Sequence, residues 1–180
     1  MKKYAIITLG YLLSLICIFF AIYNISSVTI YRFPPELVEW FFVESPEEIE
    51  KNNSPFARFD KNGWLIVVAG RKTKSEWWAA TNPENLDLAM QNKNIKISSD
   101  MTHISVLCYN NTWEEDFTLA EKAAMVCVAK KVIDGFQPTE VNVTIDLVDG
   151  NMGTAVFQIL YPTGEYEFYP EEIFSFMKKI

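Results

Sequence analysis

Hydrophobic positions follow three patterns along the chain: an unbroken run, a helix apolar on every side, and a strict alternation. The unbroken run, Tyr4 to Tyr23 (YAIITLGYLLSLICIFFAIY), contains no Asp, Glu, Lys or Arg. As a helix rising about 1.5 Å per residue it would span about 30 Å, the thickness of a bilayer core, so it predicts a transmembrane helix. The run continues through Val28 and Ile30 with no small-residue cleavage site, and Cys17 follows Leu15 and Ile16 where a lipid-attachment motif needs small residues. An uncleaved signal anchor is expected. Lys2 and Lys3 precede the run and only Arg32 closely follows it, which predicts a single-pass protein with a cytoplasmic N-terminus and residues 31–180 extracytoplasmic, in a bacterial periplasm.

Beyond the run, Pro34-Pro35 interrupts any helix, and a short apolar helix is expected over Glu36–Val43. Ser45-Pro46-Glu47-Glu48 supplies an N-cap, a proline at the first helical position and acids in the first turn. Asn62-Gly63, between Phe56–Asp60 and Trp64–Gly70, predicts a hairpin. Ser75–Thr81 reads as a strand, Asn82-Pro83-Glu84 opens a helix to about Gln91, and Ile95–Ile97 and Thr102–Tyr109 read as strands.

Thr118 and Glu121 have the spacing of a capping box and predict a helix to Asp134, closed by Gly135. Its centre, Ala123–Ala129, is apolar all round, as befits a helix buried on all sides. Glu140–Val148 alternates with period two, setting Val141, Val143, Ile145 and Leu147 on one face and Asn142, Thr144 and Asp146 on the other. Thr154–Tyr161 and Glu165–Tyr169 complete an antiparallel meander, and Pro170–Ile180 reads as a C-terminal helix. The expected fold class is α+β: an N-terminal transmembrane helix followed by one extracytoplasmic domain, a mainly antiparallel sheet packed on a buried central helix. The expected organisation is a cytoplasmic stub and anchor over 1–30, a juxtamembrane segment over 31–45 and the domain over 46–180.

Composition narrows the function. With 49% apolar and 14% aromatic residues the chain is not disordered. Beyond residue 30 lie 14 bases against 23 acids, a balance of −9, opposite in sign to what a nucleic-acid binder uses to neutralise phosphates. His103 is the one histidine. Cys108 follows it by five residues in the same predicted strand, so their side chains face opposite ways and form no local dyad. No nucleophile-elbow, zinc-helix, C-x-x-C or phosphate-loop motif occurs, so no catalytic residue, metal or cofactor is expected.

Two candidate sites remain. Cys108 and Cys127, the cysteines of a domain placed in an oxidising compartment, are expected to form a disulfide. Trp113, Glu114, Glu115 and Asp116 combine three acids with an aromatic in a predicted loop, a pattern suited to contact with another protein bearing a basic surface. The sequence therefore points to a membrane-anchored protein-binding module, such as an immunity or inhibitor protein or an accessory subunit of an envelope complex. The alternatives are an envelope hydrolase using acids such as Glu114, Glu115 or Asp146, and a structural subunit assembled through the small-residue pair Gly10 and Ser14 of the anchor.

Overall fold

The computed structural model describes residues 13–23, 27–42, 45–53, 56–108, 112–150, 153–163 and 165–168. Helix α1 occupies residues 13–23. It is followed by β1 (Thr29–Phe33), α2 (Pro35–Phe41), α3 (Pro46–Asn53), β2 (Ala57–Phe59), β3 (Leu65–Ala69), α4 (Arg71–Ala80) and α5 (Glu84–Gln91). Then come β4 (Ile95–Ile97), β5 (His103–Leu107), α6 (Trp113–Asp134), a 3-10 turn (Pro138–Glu140), β6 (Val143–Val148), β7 (Ala155–Tyr161) and β8 (Glu165–Phe168).

The strands form two sheets, one ordered β1-β3-β2 and the other β4-β5-β6-β7-β8. All neighbours are antiparallel except β5 and β6, which run parallel. A parallel pair cannot be joined by a hairpin and needs a crossover, and α6 is that crossover. The alternation predicted over Glu140–Val148 is realised from Val143 onward, where Val143, Ile145 and Leu147 face inward and are buried, whereas Glu140 closes the 3-10 turn. Ala120, Ala123, Ala124, Val126, Cys127 and Val128 of α6 are buried too, in the core that both sheets share.

Local chemistry explains several boundaries. At α3 the Ser45 hydroxyl accepts the Glu48 amide at 3.4 Å while the Glu48 carboxylate accepts the Ser45 amide at 3.0 Å, a reciprocal cap. Helix α6 starts five residues before the Thr118 cap predicted from sequence. The Thr118 hydroxyl instead donates to the carbonyl of Glu114 at 2.9 Å, within the helix, and Glu114, Glu115 and Asp116 fall in the first turn, where the helix dipole favours acids. Gly135, with φ of 117°, ends the helix in a conformation that side chains rarely adopt.

Other expectations are corrected. Ser75–Thr81 is not a strand but the end of α4, with Thr81 as its C-cap. Its Trp77 and Trp78 pack against the core side by side, as neighbours on a helix can and alternating strand positions cannot. The segment read as juxtamembrane holds a core strand: Tyr31 and Phe33 of β1 are fully buried opposite Val67 and Leu65 of β3. The outer edge of β1 is closed by the Gln137 side chain, which accepts the Arg32 amide and donates to the Ile30 carbonyl, each at 3.0 Å. The predicted C-terminal helix over Pro170–Ile180 lies outside the described residues.

The transmembrane expectation is also corrected, and with it the transmembrane part of the fold class. Among the described residues no helix is long and apolar enough to cross a membrane. Residues 13–23 of α1 rise only about 16 Å, roughly half a bilayer core; residues 1–12 lie outside the described residues. The signal anchor, the single-pass topology and the extracytoplasmic placement of residues 31–180 therefore have no support. The side chains of α1 are exposed, and Tyr23 at its end stacks under the Arg71 guanidinium at 4.1 Å.

The buried Tyr31 hydroxyl donates to the carbonyl of Val132 near the end of α6, tying the small sheet to the helix. Tyr31→Phe is expected to cost about 1 kcal/mol, read as a lower urea midpoint with an unchanged slope.

Candidate functional site

The acidic turn predicted as a partner site is divided by the helix that contains it. Asp116 is 6% exposed and structural. Its carboxylate accepts from Asn92 Nδ2 at 2.5 Å, from Asn94 Nδ2 at 2.8 Å and from the Thr112 hydroxyl at 3.3 Å. It thus pins the segment between α5 and β4 to the start of α6. Trp113 is half-buried against the core. Glu114 and Glu115 alone face solvent, and neither belongs to any of the ion pairs among the described residues.

Cys108 and Cys127 are free thiols, so the expected disulfide is corrected. The reason is helix geometry: Cys108 directly follows β5 near the start of α6, whereas Cys127 lies fourteen residues into α6, about 21 Å along its axis. A disulfide requires Cα atoms within about 7 Å. Burial pushes the Cys108 thiol up to about 12, with help from the nearby Asp149 and Asp116 carboxylates, and pushes the Cys127 thiol up to about 11. Neither is set up as a nucleophile.

The acids named for a hydrolase do not converge. Glu114 and Glu115 lie on the first turn of α6, which packs on one face of the large sheet, and Asp146 lies on the other face. There Asp146 accepts from Gln158 Nε2 at 2.7 Å and sits 2.7 Å from His103 Nε2. Among the described residues no group of three or more His, Cys, Asp or Glu side chains could hold a metal ion.

A cleft missing from the sequence reading runs between α2, the end of α4, the start of α5 and the middle of α6. It encloses about 580 Å³ and is bordered by Trp40 and Phe41, by Ala80 to Asn82, by Glu84 and Asn85, and by Lys122, Met125 and Ala129. Behind it lies a slot of about 280 Å³, which shares Phe41, Ala80, Thr81 and Ala129 with the cleft. The slot is otherwise lined by Phe33, Phe42, Trp77, Val132 and Ile133. The Thr81 hydroxyl is turned to the carbonyl of Trp78 at 2.8 Å, and the rest of the slot's lining is made by hydrophobic residues.

The cleft and the acidic turn lie on one face. Glu115, Thr118, Lys122, Met125 and Ala129 recur every three or four residues, forming a single stripe along α6. Met125 is 49% exposed although its neighbours Ala124 and Val126 are fully buried. That spacing was present in the sequence, but reading Ala123–Ala129 as buried on every side hid it. The cleft's opposite wall depends on Ser75–Ala80 being helical, where local pattern favours a strand. Comparison with protein families, curated proteins and solved structures finds no match.

Two predictions follow from the buried groups. Asp116→Ala strands the Asn92 and Asn94 amides and is expected to destabilise the fold by about 3 kcal/mol, measured by urea unfolding. In protein never exposed to reductant, thiol labelling in urea should find three free cysteines, and labelling of the folded chain at pH 8 should find only Cys17. Above pH 9, the ordinary thiol value, the unfolded chain loses protons that the folded chain keeps. The contribution of these two thiols to stability should therefore be complete below pH 9 and be lost as pH rises towards 11 to 12.

Proposed function

We propose that this protein is a binding module that engages another polypeptide through the exposed stripe of α6 and the cleft beside it. The observation that carries the reading is Met125, half-exposed in the middle of the most buried helix and on the wall of the cleft. An adaptable apolar side chain beside an aromatic such as Trp40 is typical of surfaces that repack against a partner. Two unpaired carboxylates at one end of the stripe favour a partner with a basic surface, by attraction during encounter. The absence of an activated thiol, and the separation of Glu114 and Glu115 from Asp146 by the sheet, weigh against a hydrolase. An inhibitory or immunity protein and an accessory subunit of a complex would both act through such a surface.

A photo-cross-linking residue at Met125, introduced in the native host, should yield a defined adduct that is missing when the residue is placed at the remote, exposed Ser99. Glu114→Lys with Glu115→Lys should slow capture in a salt-dependent way. Lack of any adduct at Met125, or turnover of a peptide or glycan substrate by the purified chain, would overturn the reading.

A further inference from the structure

The cleft and the slot behind it differ in chemistry, and the difference says what a partner must bring. The slot is mainly apolar, and its volume of about 280 Å³ falls near the lower limit of about 300 Å³ for sites that hold small molecules. That admits one large side chain and excludes a folded element. Its aromatic walls meet edge-on, with the Phe33 ring centroid 5.1 Å from those of Phe41 and Phe42. A further ring entering beside Trp77 would meet edges and faces already disposed for aromatic contact.

Outside the slot the stripe is charged and unpaired. Lys122 on the cleft wall, like Glu114 and Glu115 at the helix start, has no ion-pair partner among the described residues. In contrast, Lys130 on the same helix pairs with Asp134. From Ala129, at the mouth of the slot, to Glu115 is fourteen residues, about 21 Å along the axis.

Building on the binding-module reading, we propose that the partner's contacting segment carries a large apolar side chain, best an aromatic one, that inserts into the slot, and a basic group about 20 Å away that lies over Glu114 and Glu115. The anchor supplies desolvated contact and hence residence time; the basic group supplies direction and on-rate. The segment lies along α6 from its middle towards its start.

The test uses the full chain with the cross-linker at Met125 and adds two variants that fill the slot. Ala129→Phe directs a ring into it, and Ala80→Trp does so from an exposed position; each is checked by urea unfolding. Both should reduce adduct yield at Met125 roughly tenfold. The charge swap at Glu114 and Glu115 should reduce it in low salt and much less in high salt. Peptide mapping of the adduct should place an aromatic or large aliphatic residue and a Lys or Arg in the captured segment. An adduct that forms at Met125 but is indifferent to both slot-filling variants, or whose captured segment lacks a basic residue, overturns this inference and leaves the binding-module reading intact. If no adduct forms in any version, that reading fails and this one with it.

Discussion

Burial of α6 on nearly every side is the constraint to which the other elements answer. Because β5 and β6 are parallel, the chain must cross over between them, and α6 makes the crossing through the centre of the fold. Small side chains make close packing feasible: Ala120, Ala123 and Ala124 are fully buried and let α5 and the large sheet approach the helix backbone. The ends of α6 organise the rest. Tyr31 brings the small sheet to its last turns, and Asp116 brings the α5–β4 connection to its first.

Asp116 also illustrates how a charged residue is made structural. A buried carboxylate is costly unless donors replace its water, and here two amides and a hydroxyl do so beside a helix N-terminus that itself favours negative charge. The neighbouring Glu114 and Glu115 project from the same turn at other angles and remain in solvent. Three consecutive acids thus divide between holding the fold and presenting charge, and the hundred-degree step of the helix makes the division.

The cleft has the same origin as the core. Flat rings from β1, α2 and α4 meet edge-on over the second half of α6, and large planar groups at such angles leave space that methyl groups would fill. Ala80 and Ala129 at the mouth are too small to close it. The slot is therefore set by side-chain size at a few positions, among them the core residues Phe33 and Val132.

Much of the local structure was legible without the fold. The Ser45-Pro46 start, the Asn62-Gly63 turn, the Gly135 stop and the period-two strand over Val143–Val148 each follow from chemistry contained within a few residues, and each is found in place. The errors fell where local signals competed. Thr118 and Glu121 have the spacing of a cap, but the acids before them extend the helix to Trp113. The segment after the apolar run reads as juxtamembrane, whereas its Tyr31 and Phe33 are held by β3, Trp77 and α6, distant partners that no local pattern names. Cys108 and Cys127 looked like a pair on count alone and are separated by helix length. The sequence by itself determined where the chain turns, which strand faces are apolar and how charge is distributed. Only the tertiary structure decided which of three adjacent acids is buried and which apolar surfaces stay open, because both depend on the packing of elements distant in sequence.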